Sequence, residues 1–259
     1  MSETVRDDTF AALHRAGEPL LLPNAWDHAS AAALAARGFR ALGTTSLGVA
    51  AAAGLPDGVA ATREDTLRLA RGLGSRSFLL SVDAEDGFSD DPDEVAGFAR
   101  RLWEAGAVGV NLEDGCGPLA RHAAKIAAVK SAVPGLFVNA RTDTYWLGDG
   151  DETDTLRRLD AYQQAGADGV FVPGLAEPRA IAALVRRVGV PLNILYSPAG
   201  PALPRLAGLG VSRVSLGSLP YRLALGAAVA AATAVAAGQA PQGTALSYEE
   251  VQALSRPDR

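Results

Sequence analysis

Short apolar runs, often β-branched, return along the chain at intervals that helix-like segments fill. They read LLLPNAW at 20–26, RALGTTS at 40–46, SFLLSVDA at 77–84, AVGVNLED at 107–114, LFVNARTD at 136–143, ADGVFVPG at 167–174, PLNILYS at 191–197 and RVSLGSL at 213–219. Runs this short predict strands buried on both faces. Between them, DPDEVAGFARRLWEAG (91–106), DTLRRLDAYQQAG (154–166) and EPRAIAALVRRVG (177–189) carry apolar residues at helical spacing, with Gly106, Gly166 and Gly189 as expected C-caps. Eight strand-helix units within 259 residues predict an α/β fold, a closed parallel (β/α)8 TIM-type barrel that occupies 1–259 as a single domain.

An open doubly wound sheet is the competing architecture. It would place a phosphate-binding glycine fingerprint after the first strand, where the sequence instead reads NAWDHASAAALAARG. The segment 48–66, GVAAAAGLPDGVAATREDT, is longer than a simple turn and is expected to help cover a barrel mouth. Leu223 to Tyr248 contains no charged residue, and its first half, LALGAAVAAATAVAA, is short and weakly hydrophobic for a membrane span. A buried, closely packed helix is expected there. A short last helix should start near Ser247, with Glu249 and Glu250 in its first turn.

Composition narrows the functional classes. Twenty-four Lys and Arg against 29 Asp and Glu give a net charge of -5 with no basic block, which argues against a nucleic-acid partner. One cysteine cannot form an internal disulfide or a Cys-rich zinc site, and the three histidines are too far apart in sequence for a His-rich one. The first residues, MSETVRDDTFAALHRAGEP, show no apolar leader. A cytoplasmic protein with no membrane partner is expected.

In a parallel barrel, residues at the carboxyl ends of the strands converge on one face although they are distant in sequence. Here that face would collect Thr44, Thr45 and Ser46, then Asp83, Glu85 and Asp86, then Glu113 and Asp114, then Arg141 and Asp143, and finally Asn193 and Tyr196. Crowded carboxylates repel unless something positive compensates, and hard oxygen ligands suit Mg2+, or Mn2+, held partly through water. An ion-pair and helix-capping network is the alternative. Asp83 and Glu85 leave alternate positions of one extended segment, and Glu113 could approach from the adjacent strand. The Arg141 guanidinium can clamp a carboxylate of a small 2-oxo or 2-hydroxy acid, with Asp143 orienting it, or it can form a structural pair with an inner carboxylate. Backbone N–H groups of Thr45, Ser46 and Leu47 could bind the far oxyanion of such a substrate, or these residues could satisfy their own turn. Cys116 follows LEDG near the same mouth, but only His122 lies close in sequence and no activating base is evident. His28, in NAWDHAS, suits helix capping or a structural hydrogen bond better than metal ligation, and His14 marks no site.

Together SVDAEDGFSD, GVNLEDG, NARTDTYW and GLPDG resemble the isocitrate lyase and phosphoenolpyruvate mutase superfamily across nearly the whole chain. The resemblance implies a magnesium-binding (β/α)8 barrel, a homo-tetramer, and an eighth barrel helix exchanged between neighbours, for which the alanine-rich segment after Pro220 is the candidate. It casts Asp83, Glu85 and Glu113 as the inner carboxylates around the metal, with aspartate more usual where Glu85 stands. It further casts Arg141 and Asn193 as substrate contacts, Asp57 as the aspartate of the loop after strand two, and Thr45, Ser46 and Leu47 as the anion-binding turn.

The chain departs from the family's lyases in two places. LEDGCGPLARHAAK keeps CG but lacks the basic pair before it and the histidine after it, and the lyases' glutamate after the strand-six proline is absent, Pro173 being followed by Gly174. The longer gating segment of the phosphonopyruvate enzymes is shortened as well. The expected activity is a carbon-carbon lyase or decarboxylase on a small 2-oxo or 2-hydroxy carboxylate, through a pyruvate enolate protonated by solvent, Asp57 or Cys116. Carbon-phosphorus chemistry on phosphonopyruvate is the second reading and a noncatalytic metabolite-binding barrel the third.

Overall fold

The computed structural model describes residues 10–148 and 150–255. The outermost ends of the expected domain, and Asp149, lie outside the described residues. Nine parallel strand segments follow one another around a ring: β1 (Leu20–Leu22), β2 (Asn24–Ala25), β3 (Ala41–Thr44), β4 (Leu79–Asp83), β5 (Ala107–Glu113), β6 (Phe137–Arg141), β7 (Gly169–Phe171), β8 (Leu192–Leu195) and β9 (Arg213–Ser215). The first expected strand is two segments. Pro23 has no N–H to donate, and the chain changes partner there: β1 pairs with β9 and β2 with β3. The split segment closes the barrel.

Helices cover the outside: α1 (His28–Ala35), α2 (Ser46–Ala53), α3 (Arg63–Leu73), α4 (Pro92–Glu104), α5 (Leu119–Ala132), α6 (Glu152–Gln164), α7 (Pro178–Arg187) and α8 (Leu203–Gly208). α4 shows why these sequences form them. Asp91 accepts from the Asp93 N–H, Pro92 occupies the first turn, and Val95, Phe98 and Leu102 recur on the buried side. Gly106 and Gly166 take left-handed conformations just past their helices, with φ of 100° and 98°. Gly189 does not; the cap of α7 is the extended Val188, and the Gly189 N–H donates to Gln163 Oε1 at 2.7 Å.

Inside the ring, polar side chains sit where aliphatic ones commonly fill such barrels. Asn139 donates to Asn111 Oδ1 at 2.8 Å, and Asn193 donates to Ser215 Oγ at 3.0 Å. Arg213, 1% exposed, donates to Ser215 Oγ and Asn111 Oδ1 at 3.1 and 3.3 Å. Phe10, His14 and Phe137 plug the end remote from the strand carboxyl termini, the last two stacked with centroids 4.4 Å apart.

The alanine-rich helix corrects an expectation. α9 (Leu219–Ala236) has Tyr221 as its one buried residue, and Leu223, Leu225, Val229 and Val235 are exposed. It is long and apolar enough by length and composition to cross a membrane, at a mean hydropathy of 1.4. Its composition suggested burial, but nothing among the described residues covers it. The short α10 (Tyr248–Ala253) starts as expected at Ser247, which forms a capping box with Glu250.

Candidate active site

The carboxyl end of β4 delivers Asp83 to the mouth of the barrel. Its backbone N–H is held by Thr44 Oγ1 at 2.8 Å, and its Oδ2 accepts from the Ser46 N–H at 3.2 Å. Ser46 opens α2, whose N-cap Thr45 is extended and makes no side-chain cap. Asp83 therefore takes over part of the capping. Thr45, Ser46 and Leu47 line the cavity beside Asp83.

Register explains the central ion pair. Glu113 ends β5 directly opposite Arg141 at the end of β6, and Glu113 Oε2 meets Arg141 Nη1 at 2.7 Å. Asp143 Oδ1 accepts from Arg141 Nε at 2.6 Å, and its other oxygen accepts from the Gly115 N–H at 3.2 Å. Asp143 thus orients the arginine, while the guanidinium still borders the cavity. Asp114 faces away, tied to Tyr162 at 2.6 Å and Arg158 at 3.0 Å, so its role here is to fasten the loop.

Glu85 follows β4 with φ of 48° and turns its carboxylate to the loop after α2. It accepts from Thr62 Oγ1 at 2.6 Å and from the Ala60 N–H at 3.1 Å. That loop carries Asp57 into the mouth. Asn193 is placed differently from expectation: its side chain lies one layer below, bonded to Ser215, and does not border the cavity. Cys116 does not border it either, and burial and the charges of Asp114 and Asp143 push its thiol up.

Electrostatics set what the mouth can hold. Burial pushes the carboxyls of Asp57, Glu85 and Asp143 above their ordinary range. Burial, with the fields of Asp83, Asp143 and Glu85, lifts Glu113 from 4.5 to about 8 in spite of Arg141. Five carboxyl groups crowd around one guanidinium, and even with Glu113 holding a proton at neutral pH the other four outnumber that single positive charge, a deficit that an anionic substrate would deepen. Among the described residues no three His, Cys, Asp or Glu side chains converge to enclose a metal. Zinc would need such a cage, whereas Mg2+ takes one or two carboxylates and keeps several waters. The oxygen donors are of the kind the latter takes: Asp83 lines the cavity with Asp57, and Glu113 lines the neighbouring one.

Several lining residues escaped the sequence reading. Trp146, Phe171, Pro173 and Leu195 form an apolar side, and Asn24, Asn111 and Ser215 a neutral polar floor, of a cavity of about 190 Å³. The inward alternation of Asn111 with Glu113, two positions apart on β5, was the available signal for the floor.

Residues 10–236 match the phosphoenolpyruvate phosphomutase family. The chain belongs to this family. An uncharacterised protein of Mycobacterium tuberculosis strain H37Rv is 47% identical over 251 residues, 95% of either chain. The 2-methylisocitrate lyase of Bacillus subtilis is 32% identical over 71% of this chain and 64% of its own length. A candidate lyase/mutase from Burkholderia cenocepacia has a structure that superposes with a TM-score of 0.87 at 35% identity, over 99% of this chain and 98% of that one. A phosphonopyruvate hydrolase in complex with oxalate and Mg2+ shares the fold, with a TM-score of 0.83 at 23% identity over 96% and 94% of the two chains. The family is one of lyases and mutases.

Proposed function

We propose that this family member is a magnesium-dependent carbon-carbon lyase or decarboxylase acting on a small 2-oxo or 2-hydroxy carboxylate through a pyruvate enolate. The observation that carries the reading is the Arg141 guanidinium, fixed by Glu113 and Asp143, bordering one cavity with Asp83 and the amino terminus of α2. Arg141 binds the substrate carboxylate and sets its plane. The N–H groups and hydroxyls of Thr45, Ser46 and Leu47 supply donors for a second oxyanion. A divalent ion held by Asp83 and Glu113, in part through water, with Glu85 behind them, would supply Lewis-acid stabilisation of the enolate oxygen.

For a 2-oxo acid, cleavage of the bond beyond C3 leaves its electron pair delocalised over the 2-oxo group as the enolate while the other fragment departs as carbon dioxide or a carbonyl compound, and C3 then takes a proton. For a 2-hydroxy acid, the hydroxyl first gives its proton to a base, C2 becomes the carbonyl of the 2-oxo product, and the electron pair and then the proton go to the departing carbon. Asp57 is suited to deliver it: the residue borders the cavity, and burial holds its carboxyl up. Cys116 and solvent are the other donors, Cys116 the less well placed. A turnover screen with Mg2+ tests the reading, offering oxaloacetate, 2-hydroxy dicarboxylates, methylisocitrate and phosphonopyruvate. Pyruvate with a carbon fragment, abolished by chelation, supports it. Phosphate release or rearrangement would transfer the assignment to carbon-phosphorus chemistry, and tight binding without turnover to a metabolite-binding barrel.

The exposed apolar side of α9 is part of the same reading. We infer that it packs on further copies of this chain in a cytoplasmic homo-tetramer, with Leu223, Leu225 and Val229 in the contact. Sedimentation equilibrium of the parent and of Leu223→Glu tests this, a monomeric parent contradicting it.

A further inference from the structure

The two sides of the mouth differ in chemistry. Asp57, Asp83 and Arg141 face a wall made of Leu47, Trp146, Phe171, Pro173 and Leu195. Among the described lining residues Arg141 is the one cation, so a single carboxylate has a guanidinium to meet and no second anionic group does. The wall depends on one glycine. Gly174 has φ of 83°, and a Cβ there would lie 2.4 Å from the Tyr145 carbonyl oxygen and 2.9 Å from its carbon. A side chain at 174 would push the 143–147 turn off the end of β7. With glycine, the turn settles there, the Trp146 N–H donating to Asp143 O at 2.9 Å. The residue that orients Arg141 thereby starts the turn that carries Trp146, so the clamp and the wall share one support.

Trp146 remains 55% exposed. An indole left half in water on the rim of a binding cavity gains burial when an apolar group of the ligand covers it. We propose that Trp146, seated on Gly174, is the specificity-determining residue of this site and selects a 2-oxo acid whose part distal to the Arg141-held carboxylate is uncharged and apolar. This rests on the reading of the mouth as a 2-oxo acid site and narrows it to the lyase branch with a neutral, apolar departing fragment, so that oxaloacetate and methylisocitrate should be the weaker members of the turnover panel. The absence of a side chain at position 174 and the apolar wall are then one feature.

Calorimetric titration of the Mg2+-loaded protein separates the two claims. The probes are oxalate, which has no tail, then 2-oxobutyrate, 2-oxopentanoate and 2-oxohexanoate, and 2-oxoglutarate as the charged-tail counterpart. Affinity should rise about threefold per methylene through the alkyl series, with 2-oxoglutarate at least about tenfold weaker than 2-oxopentanoate. Trp146→Ala and Gly174→Ala should each lower the ratio of 2-oxohexanoate to oxalate affinity by about fivefold or more, and Trp146→Phe should restore most of it. Oxalate binding with a flat alkyl series, a preference for 2-oxoglutarate, or an unchanged ratio in Trp146→Ala would overturn this proposal while leaving the 2-oxo acid site standing. Failure of oxalate and every 2-oxo acid to bind would overturn both.

Discussion

Two arginines point into the same barrel and live under opposite conditions. Arg141, at the mouth, is held between Glu113 and Asp143, and its charge is favoured by both. Arg213, one layer down on β9, has neutral acceptors, Asn111 and Ser215, and its Nη1 has no partner among the described residues. Burial pushes it down to about 9, opposed only by the distant field of Asp83, so it stays cationic at neutral pH. The mouth is a place where charge is concentrated beyond what the chain neutralises; the interior is a place where one charge is tolerated by dipoles. The first arrangement is poised to take up a cation and an anion, and the second is a scaffold.

The largest effect that sharpens this contrast is expected from Arg141→Met. Asp143 would be left buried without a counter-charge, and Glu113 too wherever it is ionised, at a cost of about 3–5 kcal/mol in urea unfolding, together with loss of oxalate binding. A stability loss below about 1 kcal/mol would show that the pair is not held as described.

Glu113→Gln comes next. Mg2+ affinity in the presence of oxalate should fall by about 10–100-fold. The same residue governs pH behaviour. Its folded value of about 8 lies above the ordinary 4.5, so the folded state holds a proton that the unfolded chain has released in between. Its contribution is complete below about pH 4.5 and is lost as the pH climbs through about 8, so the metal-free Tm should decline over that window. Mg2+, or Glu113→Gln, should flatten the decline. A Tm that rises from pH 5 to pH 8 without metal would reverse the assignment.

Thr62→Val removes the hydroxyl at 2.6 Å from Glu85 and loosens the loop that brings Asp57 to the mouth. Unfolding free energy should drop by about 1–2 kcal/mol, and proteolysis between 55 and 62 should accelerate. The smallest effect belongs to Arg213→Met. No carboxylate is orphaned, so stability should stay within about 1 kcal/mol or rise. A loss comparable with that of Arg141→Met would erase the distinction between the two sites.

The barrel was legible because each strand is a compact apolar run between helices with their own caps. Leu79–Asp83 and Phe137–Arg141 fall inside the expected runs at 77–84 and 136–143, as does Ala107–Glu113 in 107–114. The positions of Asp83, Glu113 and Arg141 at one end of the barrel were legible for the same reason, since they stand at the ends of those strands. What was hidden depends on contacts between distant segments. Asn193 was read as a mouth residue, but strand phase and its bond to Ser215 keep it below. The role of Gly174 appears only when Tyr145 is seen against it. Composition could not show that α9 has no cover among the described residues, because burial is a property of neighbours and not of alanine content.

The central claim is that the acid-crowded mouth is completed by a divalent cation shared with an anionic ligand. Calorimetric titration of Mg2+ into the protein with oxalate present, at pH 7, in the parent and in Glu113→Gln, tests it most directly. The account predicts saturable binding in the parent, weakened about tenfold or more in the variant. Absence of binding in the parent, or equal binding in the two proteins, would contradict it.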